Sequence, residues 1–372
     1  MRDKRVLQVA GSMNIGGAEV LLMNFLRSLT VEEARSIDFL VFGYYPQFFE
    51  QEIRELGSNI IRISPPRRSF PRAFAKELEC LLTGQGPYEV VHSHVNLTSS
   101  VVLRTAKKCG VPRRVAHAHI ANDGGGFFQG LYHHVASLII RRSATDLPAC
   151  SPEAGAYLFG DSWARRGLVV PNAVPIKDFA GRSDATKQAL RAELKVDPDD
   201  VLIGSVSRLV DFKNLGFLIP IVAQALQDGL RFRLAIVGDG PERSKLESLT
   251  AELGMSERVT FLGMRNDVAR IFRGLDVLVA PSFYEGLPVS LIEAQAAGLP
   301  AVVSRGISPS AAVVDGLVQF VPIDDPRDWI QPIIKASTRQ VSPQQIQQDM
   351  HRHGYTIDSL VSSFMRLYGW DQ

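Results

Sequence analysis

One strand–loop–helix–strand stretch limits the folds open to this chain more than any other. Residues 276–280 are a short apolar run with β-branched residues, which predicts a buried strand. Residues 289–297 are rich in helix formers, and Gly298 followed by Pro300 is a helix stop signal. Residues 301–304 then predict a second buried strand. Such a unit is typical of a parallel α/β sheet, whose ligands bind at the carboxyl ends of the strands.

Two glutamates in this stretch, Glu285 and Glu293, are separated by seven residues. Glu285 falls in the loop after the first strand. Glu293 falls about one turn inside the helix, because five residues from Pro288 at ~1.5 Å each span ~7.5 Å. Backbone N–H groups around Leu287 and Val289 lie between the two carboxylates, at a helix start that suits an anion. Two hydrogen-bond acceptors beside a phosphate-sized positive pole suit a phosphorylated polyol such as a nucleotide sugar.

The twenty residues from Pro281 to Pro300, Pro-Ser-Phe-Tyr-Glu-Gly-Leu-Pro-Val-Ser-Leu-Ile-Glu-Ala-Gln-Ala-Ala-Gly-Leu-Pro, carry a family resemblance. They closely resemble the retaining glycosyltransferases of family 4, and most of all the bacterial exopolysaccharide and capsule enzymes. The resemblance implies the GT-B fold, an α/β architecture of two Rossmann-like doubly wound parallel-sheet domains facing a cleft. The alternative, a surface helix with two solvated glutamates, is disfavoured by the whole twenty-residue context.

Strands and helices alternate through the rest of the 372 residues, which is long enough for two domains. Strands are predicted at 5–10, 38–42, 59–63, 90–94, 114–119, 201–207, 232–238, 259–264 and 318–322. Helices are predicted at about 18–29, 47–56, 71–82, 98–109, 130–144 and 184–194. The Pro-punctuated connection after 168–170 predicts the domain boundary. We expect an acceptor-side domain at 1–171, a nucleotide-sugar domain at 172–354, and a terminal helix at 357–368 (within about 355–372) that packs back onto the first domain. Pro220 predicts a kink in the helix that begins near Asn214.

Charge and cysteine usage restrict the partners and the compartment. The net charge of +2 gives no indication of nucleic-acid binding. Three cysteines without metal-ligand spacing are typical of reduced thiols in a cytosolic protein. The N-terminal residues do not resemble a signal peptide and no apolar run approaches ~20 residues, so we expect a cytoplasmic protein.

A basic bias in residues 1–170, with 20 Lys/Arg against 15 Asp/Glu, favours a peripheral contact with the inner membrane face. The alternative is a solvated basic loop. The residues that would make the contact are Arg67, Arg68, Arg72, Phe70 and Phe74.

Gly16 and Gly17 stand at the first helix start, where glycines let a backbone approach a ligand closely. A plain tight turn is the alternative. The Gly-Gly-Ala-Glu sequence resembles the family's N-terminal loop, which faces the donor phosphates and the acceptor.

Two His-x-His pairs, His92 with His94 and His117 with His119, end neighbouring strands. Alternation places both histidines of a pair on one face. No Asp, Glu or Cys cluster accompanies them, so hydrogen-bonded core histidines are favoured over a metal site. His119 aligns with the family's active-site histidine. The glycine-rich loop at 122–126 that follows is well placed to be a mobile acceptor-side lid.

Arg208 and Lys213 follow the strand at 201–207, and two cations five residues apart suit a diphosphate. Solvated surface charges are the alternative, and the family uses these positions for the diphosphate. Gly238 ends the next strand in an incomplete dinucleotide fingerprint, which the resemblance makes a nucleotide-side loop. The backbone after 259–264 reads the base in this family.

The resemblance assigns roles residue by residue. Glu293 would hold the ribose hydroxyls and Glu285 the sugar hydroxyls. Catalysis is assigned to Glu285, His119, Arg208 and Lys213. Donor binding is assigned to Gly16, Gly17, Arg208, Lys213, Gly238, Met264, Gly286, Leu287, Pro288, Val289 and Glu293.

No metal and no other cofactor is expected. The only Asp-x-Asp match, Asp197-Pro-Asp199, precedes the strand at 201–207 and therefore lies at its amino end, away from the ligand side. Arg208 and Lys213 supply the charge that a metal would bring. Retention ordinarily needs a nucleophilic carboxylate, and no clear candidate stands out. The family is described as front-face transferases, in which the leaving phosphate accepts the acceptor's proton and His119 orients the sugar.

We therefore expect transfer of a hexose or N-acetylhexosamine from a nucleotide sugar to a glycan or lipid-linked acceptor in surface polysaccharide biosynthesis. Uridine diphosphate (UDP) is the expected carrier by analogy with polysaccharide-building relatives. One alternative is a sugar-nucleotide epimerase of the same architecture, whose turnover needs no acceptor. Another is an inactive sugar-nucleotide-binding partner subunit, which the intact set of site residues disfavours.

Overall fold

The computed structural model describes residues 5–14, 16–66, 71–119, 127–160, 162–163 and 167–370. The chain divides into two compact units. Unit 1 is Met1–Ala173 together with Gly354–Gln372, and unit 2 is Val174–His353. The boundaries predicted from the sequence, 171 and 354, lie next to this division.

Unit 1 is built on a parallel sheet whose strands are β1 (Arg5–Gly11), β2 (Ile37–Phe42), β3 (Asn59–Ile63), β4 (Tyr88–Ser93) and β5 (Arg113–Ala116). Their order is β3-β2-β1-β4-β5, and every neighbouring pair is parallel. The first helices are α1 (Gly17–Arg27), α2 (Val31–Ala34), α3 (Glu50–Glu55), α4 (Pro71–Gly84), α5 (Ser99–Lys108), α6 (Phe127–Ser143) and α7 (Pro152–Phe159). Two short strands, β6 (Pro148–Ala149) and β7 (Leu168–Val169), pair with each other.

Both faces of this sheet are covered, which explains why its strands are almost continuously apolar. Neighbouring residues on a strand point to opposite faces. On β1, Leu7 packs in the cluster that contains Leu78 of α4, whereas Val6 packs in the cluster that contains Phe25 of α1. Phe364, in the terminal helix, belongs to the second cluster, so that helix is part of the core of unit 1.

Unit 2 contains a six-stranded parallel sheet whose strands are β8 (Val201–Val206), β9 (Phe232–Val237), β10 (Val259–Gly263), β11 (Val277–Ala280), β12 (Ala301–Ser304) and β13 (Val318–Val321). Their order is β10-β9-β8-β11-β12-β13. The helices are α8 (Ile176–Phe179), α9 (Asp184–Leu194), α10 (Leu218–Gln227), α11 (Arg243–Glu252), α12 (Val268–Gly274), α13 (Val289–Ala296), α14 (Arg327–Ser337) and α15 (Pro343–Arg352). The chain then returns to unit 1 as α16 (Ile357–Tyr368).

The predicted kink at Pro220 is wrong. Two short 3-10 turns, Asp211–Lys213 and Leu215–Phe217, precede α10, so Pro220 is only the third residue of that helix. A first-turn residue has no intrahelical acceptor for its N–H, so proline costs no hydrogen bond there.

Several predicted bounds are also corrected. The helix predicted at 47–56 begins at Glu50, and the strand predicted at 114–119 ends at Ala116. His117 and His119 therefore lie beyond the end of β5 rather than on it.

The segments proposed for membrane contact and for a lid are described only in part. Arg67, Arg68 and Phe70, and the loop at 122–126, lie outside the described residues. Phe74 is buried, with its ring 5.3 Å from that of Phe42, so its expected place in a membrane-facing patch is wrong. Among the described residues, no helix has both the length and the apolar character needed to cross a membrane.

Candidate functional site

Lys213 and Glu285 are brought together in unit 2 by the adjacent strands β8 and β11. Lys213 Nζ forms an ion pair with Glu285 Oε2, and Ser282 Oγ donates a hydrogen bond to Glu285 Oε1. The two charged side chains are 15% and 12% exposed. The residues assigned separately to the diphosphate and to the sugar are thus joined in this structure.

The loop that carries Glu285 is clamped by its neighbours. Phe283 N donates to Phe212 O at 2.9 Å, and the rings of Phe212 and Tyr284 stack with centroids 5.3 Å apart. Glu285 N donates to Gly306 O at 3.0 Å, and a Cβ at Gly306 would collide with the carbonyl oxygen of Phe283. Glycine is therefore required where the loops after β11 and β12 meet.

The start of α13 provides backbone donors without acceptors. Pro288 is the N-cap residue and has no side-chain cap. Among the described residues, nothing accepts a hydrogen bond from the N–H groups of Gly286, Leu287, Val289 or Ser290. Free N–H groups at a helix N-terminus carry partial positive charge and favour an anion.

A small cavity at the carboxyl ends of β8 and β11 connects these features. Its lining includes Lys213, Glu285, Pro288 and Ser290. The structure therefore brings one cation, one carboxylate and the helix start to one place, as the sequence predicts.

Glu293 has no partner within the part of the chain that the structure describes. No described residue donates a hydrogen bond to its carboxylate, and burial raises its pKa to about 7. A desolvated carboxylate without donors is destabilising, and hydroxyl groups of a ligand would stabilise its charged form.

Arg208 and Gly238 belong to a second group of loops, at the ends of β8, β9 and β10. Arg208 is exposed, and no described residue accepts a hydrogen bond from its guanidinium. Gly238 has a φ of 127°, and a Cβ there would collide with Ser207 O. Gly238 N donates to Gly263 O at 2.8 Å, and Met264 beyond it is 61% exposed. The absence of a side chain at Gly238 thus lets its loop pack closely against the loop that carries Arg208.

The Asp-x-Asp match lies before β8, at the opposite end of the sheet. Asp197 forms an ion pair with Arg231, and the neighbouring buried Asp200 pairs with Arg231, Arg233 and Arg258. The carboxylates of Asp197 and Asp200 are thus occupied by arginines in the described structure, a network that spacing alone did not indicate.

Gly16 is the N-cap of α1, in unit 1, and Gly17 is the first residue of that helix. The carboxylate of Glu19 fills the space that a Cβ on Gly16 would need, and Ser12 Oγ donates to Glu19 Oε1 at 3.2 Å. Burial raises the pKa of Glu19. In this structure the side chain of Glu19 therefore lies closest to Gly16, and the approach of a ligand to Gly16 stays a prediction.

The four histidines form one cluster in unit 1. His94 Nδ1 lies 2.9 Å from His119 Nε2, and the rings of His117 and His119 stack with centroids 4.3 Å apart. Two residues that the sequence analysis missed complete it. Gln8 lies 3.0 Å from His94 Nε2, and Tyr368 lies 2.9 Å from His92 Nδ1. Gln8 gave no signal because its partners are distant in sequence.

Burial lowers the pKa of His119 to about 4 and lowers the pKa values of His92, His94 and His117 well below 6.5. All four are therefore neutral at pH 7. One nitrogen from each of His92, His94 and His117 lies within 4.8 Å of the others. Both nitrogens of His94 already have hydrogen-bond partners, so that ring offers a metal no free lone pair.

Comparisons with known proteins give consistent results. The family model described as glycosyl transferases group 1 matches residues 200–339. A putative glycosyltransferase of Bacillus subtilis (strain 168), EpsF, is 32% identical over 374 residues, which cover 98% of this chain and 96% of that protein. The UDP-Gal:alpha-D-GlcNAc-diphosphoundecaprenol alpha-1,3-galactosyltransferase of Escherichia coli is 24% identical over 270 residues, 68% of this chain and 67% of that enzyme.

Solved structures show the same fold. The crystal structure of Anabaena HepE in complex with UDP superposes with a TM-score of 0.81 at 18% identity, covering 98% of this chain and 100% of that one. The same protein in complex with UDP-glucose gives a TM-score of 0.79 at 18% identity, covering 98% and 99%.

Proposed function

We propose, from the premise that this chain belongs to the group 1 glycosyltransferase family and has the GT-B fold, that it is a retaining enzyme of family 4. It transfers a hexose or N-acetylhexosamine from a UDP sugar to a glycan or lipid-linked acceptor in surface polysaccharide biosynthesis. The observation that carries the proposal is the cavity in unit 2, where Lys213, Glu285 and the uncapped start of α13 meet.

The donor diphosphate is the anion that this arrangement suits. Arg208, Lys213 and the free N–H groups at Leu287 and Val289 offer positive charge on one side of the sheet. Glu293 supplies an acceptor for the ribose hydroxyls, and its pKa, which burial raises, falls when those hydroxyls donate to its charged form. The UDP and UDP-glucose complexes of HepE support uridine as the base by analogy.

Catalysis follows from where charge grows in the transition state. As the glycosidic bond breaks, negative charge develops on the leaving diphosphate, and fixed cations and helix N–H groups stabilise it. Lys213 has three donors, so it can keep Glu285 and still reach a phosphate oxygen. Glu285, held by Lys213 and Ser282, accepts hydrogen bonds from the sugar hydroxyls. The leaving phosphate takes the acceptor's proton on the same face, which preserves the anomeric configuration.

His119 contacts the substrate sugar as a neutral group. Its low pKa of about 4 makes it a hydrogen-bond partner rather than a cationic acid at pH 7. No metal takes part in this proposal, because Arg208 and Lys213 neutralise the diphosphate.

The acceptor is a saccharide on a lipid carrier, as the name of the Escherichia coli relative states for that enzyme. The protein would then work in the cytoplasm at the inner membrane face. Leu131, Tyr132 and Val135 are exposed on one side of α6, and the exposed Arg141 and Arg142 follow on the same helix. Apolar and basic residues together suit an anionic lipid surface. Flotation with anionic vesicles should recover the protein at low salt, and failure to float at any salt concentration would contradict the proposed membrane contact.

The test of the reaction combines binding and transfer. UDP should raise the melting temperature more than guanosine or adenosine diphosphate does. Radiolabelled hexose should then pass from a UDP sugar to a polyprenyl diphosphate-linked N-acetylhexosamine, with the donor's anomeric configuration and after exhaustive chelation. An inverted product contradicts retention, and loss on chelation restored by manganese contradicts the metal-free site. Conversion of the donor without an acceptor would instead indicate an epimerase.

A further inference from the structure

Three large aromatic side chains are exposed on one short loop of unit 1. The loop at 43–49 joins β2 to α3, and its Tyr44, Tyr45 and Phe48 are 66%, 84% and 62% exposed. A single exposed apolar side chain is ordinary, because a folded protein cannot cover all its apolar surface. Three aromatic rings on one loop instead indicate a surface that binds something.

The backbone of this loop is held in place on both sides while its rings stay free. Phe48 N donates to Asn14 Oδ1 at 3.1 Å, in the segment after β1. Gly43 N donates to Ile63 O at 3.0 Å, at the end of β3. A loop that is already ordered in the free protein loses little conformational entropy when a ligand binds, so the exposed rings are preorganised for contact.

The loop begins at the edge of the sheet where the histidines lie. Strands β1, β2 and β4 are parallel, so their carboxyl ends share one edge. A Cβ added to Gly11, the last residue of β1, would lie 3.0 Å from Val95 Cγ1 and 3.4 Å from the ring of Phe42. Phe42 directly precedes the loop, and Val95 directly follows His94. The aromatic loop therefore starts beside the histidine segment, at the edge where parallel sheets bind ligands.

The charges on and around the loop favour a sugar over an anionic lipid surface. The loop sequence, Gly-Tyr-Tyr-Pro-Gln-Phe-Phe, contains no charged residue. Nearby, Arg54 and Arg62 pair with Glu50, and Arg27 pairs with Glu52. An anionic membrane attracts unpaired cations, which these arginines do not provide.

A sugar ring matches what the loop does offer. The faces of a sugar ring carry C–H groups, which pack against the electron-rich face of an aromatic ring, and a tyrosine hydroxyl adds a hydrogen-bonding tip. Tyrosine also gives a large contact area at a low cost in side-chain entropy, because it has only two side-chain torsions to fix.

We propose that the loop at 43–49 binds the saccharide of the acceptor, with the rings of Tyr44, Tyr45 and Phe48 in contact with its sugar rings. The proposal rests on the proposed function for the identity of that saccharide as the acceptor. The aromatic contact itself depends only on unit 1. A residue that touches only the acceptor changes the acceptor KM, whereas the donor KM and kcat stay unchanged.

The test removes the most exposed ring. Tyr45→Ala deletes the ring, and Tyr45→Phe keeps the ring and deletes the hydroxyl. Because Tyr45 is 84% exposed, neither change should affect folding, which melting temperatures check. Val31→Ala is the matched control, because Val31 is 56% exposed but lies on α2, before β2 and therefore at the opposite edge of the sheet.

Two probes separate the sugar from the lipid. The first is N-acetylglucosamine joined through a diphosphate to a short polyprenyl chain, and the second is the same polyprenyl diphosphate without the sugar. Calorimetry measures the affinity for each probe with no nucleotide sugar present. Initial rates with a UDP sugar and the first probe give the acceptor KM, the donor KM and kcat.

The wild type should bind the sugar-bearing probe more tightly than the bare one. Tyr45→Ala should weaken binding of the sugar-bearing probe and raise the acceptor KM about tenfold, the effect of one well-placed aromatic contact, with donor KM and kcat unchanged. Tyr45→Phe should retain most of the affinity, and Val31→Ala should behave as the wild type does. All four proteins should bind the bare probe equally.

Several results would overturn the proposal. Equal affinity of the wild type for the two probes would show that the sugar is not recognised. Equal losses for both probes in Tyr45→Ala would assign the loop to the lipid chain. Unchanged probe binding in Tyr45→Ala would also contradict it: weaker flotation with vesicles would then assign the loop to a membrane, and a changed sedimentation coefficient would assign it to a second copy of the chain.

The same measurements keep this proposal separate from the proposed function. If the wild type transfers no sugar from any nucleotide donor, the proposed function fails. Tighter binding of the sugar-bearing probe that is lost in Tyr45→Ala would still establish the aromatic saccharide site.

Discussion

The polar residues of unit 1 are hydrogen-bonded to one another, whereas several polar residues of the unit 2 site have no partner among the described residues. In unit 1, the histidines are neutral and linked to one another, to Gln8 and to Tyr368 by hydrogen bonds. In unit 2, the site residues are ionisable and several have no partner among the described residues, notably Arg208 and Glu293. The uncapped N–H groups of α13 add to this second group.

This difference implies separate roles for the two units: the network of unit 1 holds side chains in a fixed orientation, and the unpaired groups of unit 2 contribute the free energy of ligand binding. A closed network gains little from a ligand but fixes the orientation of a group such as His119. An open set of charges is destabilising in the free protein and gains when a ligand supplies the missing partners. We therefore expect ligand affinity to depend mainly on unit 2, and pH-dependent stability to depend mainly on unit 1.

The largest effect is expected from Lys213→Ala. Removing a fixed donor from a developing negative charge costs about 10²–10³ in kcat, and added magnesium or manganese should not restore it. Lys187→Ala is the matched control, because Lys187 also pairs with a carboxylate in unit 2, Asp276 at 3.2 Å, but before β11 rather than after it. Initial rates of sugar transfer check this, and equal losses in both variants would contradict a diphosphate role for Lys213.

Glu285→Ala should lower kcat about 100-fold, in the lower part of the range for one transition-state contact, while UDP binds within a few-fold of the wild type. Its observed partner is Lys213 and its proposed partners are the sugar hydroxyls rather than the nucleotide. Glu285→Gln keeps the acceptor for Ser282 Oγ and should retain more activity. Calorimetry with UDP measures the nucleotide affinity, and initial rates with the UDP sugar measure kcat. A large loss of UDP affinity would reassign Glu285 to the nucleotide.

As pH falls, the folding stability of unit 1 should decrease before that of unit 2. Burial lowers the pKa values of His92, His94, His117 and His119 in the folded chain, so the unfolded chain binds protons that the folded chain does not. The stability contributed by these neutral histidines is fully present above pH 6.5 and is lost as pH falls below it, by about 1.4 kcal/mol per pH unit for each group.

Hydrogen exchange followed by mass spectrometry between pH 7 and pH 5 checks this difference. Peptides from β1, β4 and β5 should lose protection first, because the described histidines of unit 2, His351 and His353, are exposed. Loss of protection in β8 and β11 before the strands of unit 1 would contradict it.

The family and much of the sheet architecture could be predicted from the sequence, because both depend on local patterns. Strands at Asn59–Ile63 and helices at Asp184–Leu194 and Ile357–Tyr368 match the predicted bounds. Pro220 shows the limit of local reasoning. Whether a proline kinks a helix depends on its distance from the helix start. Here two 3-10 turns precede the helix, which therefore begins only at Leu218.

Contacts within the candidate site were harder to predict. The pair of glutamates and the two cations are visible in sequence, but the ion pair between Lys213 and Glu285 depends on the neighbouring positions of β8 and β11. The hydrogen bonds that link Tyr368, Gln8, His94 and His119 join residues from α16, from β1 and from the segments after β4 and β5, so no sequence spacing indicates them. The raised pKa of Glu293 likewise reflects burial by residues from elsewhere in the fold.

A further prediction concerns Glu293 and stability. The shift of its pKa from 4.5 to about 7 corresponds to about 3 kcal/mol at 1.36 kcal/mol per unit. A raised pKa means that the folded chain holds a proton that the unfolded chain releases, so stability falls as pH rises from 4.5 through 7. Glu293→Gln should therefore raise the free energy of unfolding of the ligand-free protein at pH 8, measured by chemical denaturation, and change it little at pH 4.

The affinity for UDP of wild type and Glu293→Gln between pH 6 and pH 8 tests most directly whether unit 2 awaits a nucleotide. Ribose hydroxyls favour the charged carboxylate, so binding lowers the pKa of Glu293 and releases a proton. The wild-type Kd should therefore rise about tenfold more than that of the variant from pH 8 to pH 6, since a group with pKa 7 is about nine-tenths protonated at pH 6. The UDP phosphate titrates in the same way with both proteins, so the difference between their pH profiles reports the titration of Glu293 alone. Parallel pH profiles, with the variant binding as tightly as the wild type at pH 8, would contradict the assignment of Glu293 to the nucleotide.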